Sequence, residues 1–267
     1  MTRNEVSGMP DDLELALRAA DFADRLTLSM FRSGSLGIEL KADRSPVTEA
    51  DKGTEAVVRE LVAQERPGDA VLGEEMGSSG RGPRRWLIDP IDGTVNFLRG
   101  IPVWATLLAL EVDGVIDVGV VSAPALGRRW WARRGQGCYA GPAGSNGQRV
   151  QVSAVNKLSE ATVSLGGIGL FNEPERVARL ASRAKRDRGF GDFWQHVLVA
   201  EGGCEVALDP VVSIWDIAPL QVIVEEAGGR FTNFSGERQL DGGNALSSNG
   251  ALHDEIVSAL SLSEDQK

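Results

Sequence analysis

Trp86-Leu87-Ile88-Asp89-Pro90-Ile91-Asp92-Gly93-Thr94 is an apolar run of strand character that ends in two carboxylates, a glycine and a hydroxyl. Proline cannot donate to a ladder, so Pro90 predicts that the strand stops there and gives way to a loop. Two acids at the mouth of a strand suit a hard divalent cation, which takes oxygen ligands. Gly93 lets the backbone approach an anion closely, and Thr94 places a hydroxyl beside it. The stretch has the outline of a magnesium site for a phosphate ester.

Upstream, residues 11–31 read as an amphipathic helix, with Leu13, Leu17, Ala20, Ala23 and Leu26 at helical spacing behind Pro10. Thr48-Glu49-Ala50-Asp51 is a capping-box start for a second helix carrying Val57, Val58, Leu61 and Val62, which ends before Pro67-Gly68. Val71-Leu72 precede Gly73-Glu74-Glu75. Downstream, a run from Val103 to Val112 is followed by Asp113-Gly114, a strong hairpin signal, and by Val115. Further strand-like stretches at 118–122 and 129–132 predict a largely antiparallel sheet with helices packed on it. Gly, Pro, Ser and Asn crowd residues 141–147, which mark the best candidate boundary. The expected division is 1–146, an α+β region with the acidic motif, and 147–267, an α/β region that completes the site. In that second part, 173–185, 192–200 and 216–227 read as helices, the last closed by Gly228-Gly229. Residues 204–208 read as a strand, and a final helix follows Asn249-Gly250.

The chain of 267 residues is 42% hydrophobic and carries a net charge of -10, which argues against a nucleic-acid or anionic-membrane surface. An anionic substrate would need local help from metal ions or a helix N-terminus. Cys138 and Cys204 are far apart and unpaired by spacing, so a reducing cytoplasm is the simpler expectation. No apolar run approaches the roughly 20 residues of a membrane span. Residues 1–10 have no signal-peptide core.

Each acid of interest has an ordinary local explanation. Asp89 suits a turn before Pro90, Asp92 and Asp216 suit helix N-caps, with Pro219 in the first turn, and Asp51 completes the box with Thr48. The combination points further. Glu74, Asp89 and Asp216 each follow an apolar run, which places three carboxylates at strand ends where function gathers. Converging carboxylates repel unless cations neutralise them. Two Mg²⁺ ions some ~3.5–4 Å apart would do so and would clamp an in-line phosphoryl displacement. His196 and His253 have no metal-ligand partners at motif spacing and read as structural or surface residues.

Gly73-Glu74-Glu75, the 86–94 stretch with Asn96-Phe97, and Trp215-Asp216-Ile217-Ala218 with Gly228-Gly229 resemble the inositol monophosphatase family, in order, over most of the chain. The resemblance implies an α/β fold, the five-layer αβαβα sandwich shared with the fructose-bisphosphatase type, and a homodimer. It also implies Mg²⁺-dependent hydrolysis of small phosphomonoesters, often inhibited by lithium, with two or three ions per site. Carried onto this chain, Glu74, Asp89 and the Ile91 carbonyl would hold one metal, and Asp89, Asp92 and Asp216 a second. Glu74 with Asp51 would position a third ion and the attacking water. Thr94 would share in activating that water, and Gly93-Thr94 would cradle the phosphate.

Within that family, Arg99 to Ala105, Val121 to Trp131, Gly191-Asp192-Phe193 and Ser248 to Asp254 are most similar to the actinobacterial-type histidinol-phosphate phosphatases. A carboxylate suits a substrate bringing an ammonium and an imidazole. Asp192 and Asp209 are the candidates, though Asp192 also suits a helix N-cap and Asp209 a turn before Pro210. Val95 stands where those enzymes commonly carry Lys, and Asp209 where they carry Glu. Inositol 1-phosphate or a broader set of sugar phosphates is therefore the alternative substrate. A non-catalytic phosphate-sensing or assembly protein is the alternative of another class.

Overall fold

The computed structural model describes residues 11–33, 38–40 and 46–261; the reading of residues 1–10 lies outside them. In chain order the elements are α1 Asp12–Met30, β1 Ile38–Leu40, β2 Pro46–Thr48, α2 Glu49–Glu65, β3 Ala70–Gly73, β4 Gly77–Ser79, β5 Arg84–Asp92 and α3 Thr94–Leu98. Then come β6 Ala105–Val112, β7 Val115–Ala123, β8 Arg128–Arg133, β9 Gly137–Gly141 and β10 Gln148–Val150. The rest are β11 Thr162–Leu165, α4 Pro174–Ser182, β12 Arg186–Arg188, α5 Asp192–Ala200, β13 Val206–Asp209, α6 Ile214–Glu226, β14 Arg230–Thr232, β15 Ala245–Ser248 and α7 His253–Ser261.

An eight-stranded sheet runs β10-β9-β8-β7-β6-β5-β3-β4, and a five-stranded sheet runs β12-β11-β13-β15-β14. Alternation along the strands decides which face meets which helix. Trp86, Ile88, Leu108 and Leu110 face Leu15, Ala19, Val58 and Val62 of α1 and α2. Leu87, Leu107 and Ala109 face the other way, where Val197 of α5 and Ile217 and Leu220 of α6 pack with Ala207 and Ala245 of the second sheet. That sheet's far face, with Val163, Val206, Leu208 and Leu246, is covered by Val177 and Leu180 of α4 and Ile256 of α7. The layers thus number five, helix-sheet-helix-sheet-helix, with α5 and α6 packed between the two sheets, as the family resemblance implies.

Several local expectations are corrected. Pro90 does not end its strand: β5 continues to Asp92, which pairs with Ala105 after a register shift beyond Asp89. The Pro90 carbonyl is taken by the Thr106 hydroxyl at 2.8 Å. The missing N–H is thus absorbed by a bulge, the usual accommodation of proline in a sheet. Residues 141–147 connect β9 to β10, whose strands pair with each other, so the passage to the second sheet comes after Val150. The helix expected at 216–227 begins two residues earlier, at Ile214. Pro219 therefore lies beyond the first turn, and its missing N–H removes the donor to the Trp215 carbonyl. The hairpin at Asp113-Gly114 is as expected: both residues have positive φ, 52° and 78°, the twist that a two-residue link requires.

Candidate active site

The acids singled out in the sequence gather along one seam between the two sheets. Asp89, 2% exposed, points its Oδ1 at the Ile91 N–H, 3.0 Å away, across the bulge at Pro90. The side chain of Ile91 is anchored in a small core with Ala50, Phe97 and Trp104. Its carbonyl accepts the Thr94 hydroxyl at 3.0 Å. Glu74 follows β3 directly, and its N–H continues the ladder onto the Ile88 carbonyl at 3.1 Å. These links fix the mutual height of Glu74, Asp89 and Thr94 at the end of two adjacent parallel strands.

Asp51 sits at the third position of α2 and completes the capping box. Its Oδ2 receives the Thr48 N–H at 2.8 Å and the Thr48 hydroxyl at 2.6 Å. Its Oδ1 faces the Thr94 hydroxyl at 3.4 Å. The local and functional explanations of Asp51 are thus compatible, since one oxygen serves the cap and the other the site. Asp216 occupies the equivalent third position in α6, with Ser213 as N-cap, and takes the Ser213 N–H at 2.7 Å. It is a capping-box acid and not an N-cap.

Asp92 is half-buried, and its Oδ2 accepts the Phe193 N–H at the start of α5, 2.7 Å away. It does not cap the helix that follows; Gly93 does, with φ of 80°. A Cβ on Gly93 would lie 3.1 Å from the Val103 carbonyl oxygen and 3.4 Å from Asp192 Oδ2, so the turn has no room for a side chain. Asp192 is the first residue of α5, Gly191 being the N-cap, and has φ of 48°. A positive φ is strained for a residue with a side chain and is often held at functional sites.

Asp92, Asp192, Asp209 and Asp216 line a single cavity of about 170 Å³, together with Gly191, Phe193 and the His196 ring. Two residues that the sequence reading gave no role hold this wall. Asn96 donates to Asp192 Oδ2 at 3.3 Å and to the Val103 carbonyl at 2.9 Å. Gln195 donates to Asp209 Oδ2 at 3.2 Å and accepts from Ser164 at 3.0 Å. The available signal for Gln195 is an amide in a helix whose Phe193, Trp194, Val197 and Val199 are apolar. His196 is buried, and its Nδ1 meets the Ser247 hydroxyl at 2.8 Å.

Electrostatics mark the cluster. Burial raises Asp89 well above the usual carboxylate range, and the charges of Glu74, Asp92 and Asp216 raise it further. Asp92 is raised by burial and by Asp192 and Asp216. Burial, then Asp192, pushes Asp209 up to about 7. Asp51 is raised by burial, with Glu74 adding to it. Among the described residues no group of three acids, histidines or cysteines stands in a geometry that could hold a metal ion as it is. What the structure provides is a row of oxygen donors brought together against their own repulsion. That donor set fits a hard divalent cation, whose charge would offset both burial and repulsion.

No helix among the described residues is long and apolar enough to cross a membrane. A model of the inositol monophosphatase family matches residues 12–264. A histidinol-phosphatase of Mycobacterium tuberculosis is 49% identical over 254 residues, covering 94% of this chain and 98% of that protein. One from Streptomyces coelicolor is 46% identical and covers 94% and 97%. In three dimensions, an IMPase of Thermotoga maritima superimposes with a TM-score of 0.84 at 31% identity, covering 94% of this chain and 97% of that one. With a family model spanning nearly its whole length and relatives near half identity, the chain belongs to the inositol monophosphatase family of metal-dependent phosphoric monoester hydrolases.

Proposed function

We propose that this enzyme hydrolyses L-histidinol phosphate to L-histidinol and inorganic phosphate. In this reading Glu74, Asp89, the Ile91 carbonyl, Asp92 and Asp216 hold two or three Mg²⁺ ions. The observation that carries the substrate is the placing of Asp192 and Asp209 on the wall of the cavity that Asp92 and Asp216 also line. A leaving group with an ammonium and an imidazole meets carboxylates there, each braced by an amide. The names of the relatives from M. tuberculosis and S. coelicolor support the same substrate.

Bound Mg²⁺ would supply charge neutralisation and a water acidic enough to ionise near neutral pH. The chain's own groups do the rest. The backbone of Gly93 and Thr94 receives the phosphate oxygens. Asp51 and Glu74 orient the attacking water, and the Thr94 hydroxyl, between the Ile91 carbonyl and Asp51, takes a proton from that water as it hands its own to Asp51. Asp192 and Asp209 bind the cationic end of the substrate and fix the ester bond in line. The reading includes a cytoplasmic homodimer.

Phosphate release from L-histidinol phosphate and inositol 1-phosphate, side by side with Mg²⁺ and with EDTA, tests the proposal. An EDTA-sensitive preference for histidinol phosphate is the expected result. Preference for inositol 1-phosphate would overturn the substrate and give weight to Val95, which leaves the position after Thr94 apolar and 54% exposed. Binding of both esters without turnover would favour the sensing reading.

A further inference from the structure

The turn that carries Glu74 is held from behind by a buried acid. Glu55 lies on α2, one helical turn after Asp51, and is 0% exposed. Its Oε2 accepts the Glu75 N–H at 2.7 Å and its Oε1 the Met76 N–H at 3.1 Å. Arg59 Nε donates to the same Oε1 at 2.6 Å. The other guanidinium nitrogens reach the Ser79 hydroxyl, at 2.9 Å, and the Gly77 carbonyl. The Glu55–Arg59 pair therefore grips the turn and the second arm of the β3–β4 hairpin at once.

Gly73 is shaped to this arrangement. A Cβ there would stand 2.1 Å from Glu55 Oε1 and 2.3 Å from its carboxyl carbon. The φ of Gly73 is not in the left-handed region, so it is the empty space that the position requires. The carboxylate cannot simply swing aside, because two backbone N–H groups and a guanidinium would lose their acceptor in a buried place.

We propose that Glu55 is a positioning residue for the metal centre. By clamping the N–H groups of Glu75 and Met76 against α2, it fixes where the Glu74 carboxylate stands relative to Asp51 and Asp89. It thereby sets the affinity for the divalent cation without touching it. The inference rests on the reading of Glu74 as a metal ligand. One helix then serves the centre twice, through Asp51 in its first turn and Glu55 in its second. Groups that orient ligands in this way typically change metal affinity ~10–100-fold.

Calorimetric titration of the metal-free protein with Mg²⁺ and Mn²⁺ tests this, alongside the Mg²⁺ dependence of phosphate release. Glu55→Gln should weaken cation binding about tenfold or more and raise the Mg²⁺ needed for half-maximal rate by the same factor, with kcat at saturating Mg²⁺ within about threefold of wild type. Gly73→Ala keeps Glu55 but displaces its carboxylate and should give the same signature. In a Glu55→Ala background, Gly73→Ala should have no further effect on cation affinity. Glu74→Gln is the control: if it leaves cation binding unchanged, the metal reading of Glu74 fails. If Glu74→Gln weakens binding while Glu55→Gln and Gly73→Ala both bind within about twofold of wild type, the clamp is overturned. Should one variant lose its cooperative melt, the other decides. Loss of the melt in both makes Glu55 a purely structural residue and overturns the proposal equally.

Discussion

Asp51 and Thr94 meet across the site at 3.4 Å while each is held by a different local structure, Asp51 by the α2 capping box and Thr94 by the Ile91 carbonyl. If this pair acts as one unit on water, Thr94→Ala should lower kcat ~10²–10³-fold, in the range for lost acid–base assistance. Thr94→Ser should retain most of the rate. The double change Asp51→Asn with Thr94→Ala should cost little more than the worse single change, because residues acting together are not additive. Multiplicative losses in steady-state kcat would refute the unit.

Asp92→Asn should lower turnover by about 10²-fold or more, since it removes a full charge from the metal site. The metal-free protein should melt no lower than wild type. The amide oxygen still accepts the Phe193 N–H, and repulsion with Asp192 and Asp216 is relieved. Normal turnover, or a collapse of the melting curve, would count against this assignment.

Metal removal should be felt more at high pH. Burial and Asp192 push Asp209 up to about 7, and Asp89 and Asp92 move the same way. Carboxyls raised on folding contribute stability that is full below about pH 4 and is lost as pH rises through the folded value. A cation replaces the missing protons, so EDTA should depress Tm more at pH 8 than at pH 5. An equal or reversed gap in scanning calorimetry would be incompatible with the clustered charges.

Asp192→Asn should raise KM for histidinol phosphate at least ~10-fold, the scale of a lost charge-assisted contact, and leave that for the phosphate ester of an uncharged polyol within about threefold. Parallel KM measurements on the two esters read the difference. Equal effects on both would mean that Asp192 shapes the Gly93 turn and does not recognise the cation.

His196 titrates in the opposite sense to the acids. Burial pushes it down to about 3, so its contribution is present above about pH 6.5 and is lost as pH falls toward 3. The urea midpoint of His196→Gln should therefore fall less between pH 7 and pH 4.5 than that of wild type. Parallel falls would show that this imidazole is not what limits acid stability.

Much of this was legible in the residues. The apolar runs before Glu74 and Asp89, the box at Thr48–Asp51 and the Asp113-Gly114 link are short-range patterns, and local geometry is what such patterns encode; the run before Asp216 reads as a strand end but forms the first two residues of α6. The bulge at Pro90 was not, because it depends on β6 pairing across it and on Thr106 receiving the freed carbonyl. The turn at 141–147 read as a boundary because its composition is that of any polar loop; only the pairing of β9 with β10 tells the difference. No spacing in the sequence marks the roles of Asn96, Gln195 or Glu55, for one reason. Each acts on a residue distant in sequence or on a backbone N–H, and neither leaves a mark in a spacing.

The seam between the two sheets also orders events in time. Glu74, Asp89 and Asp92 leave the ribosome on the first sheet, long before α6 brings Asp216 and α5 brings Asp192. Until those helices arrive, the inner face of the first sheet, with Leu87, Leu107 and Ala109, has nothing to pack on. The unfinished chain is therefore a greasy platform bearing an incomplete set of acids. Assembly of the acids and burial of that platform therefore depend on the same two helices.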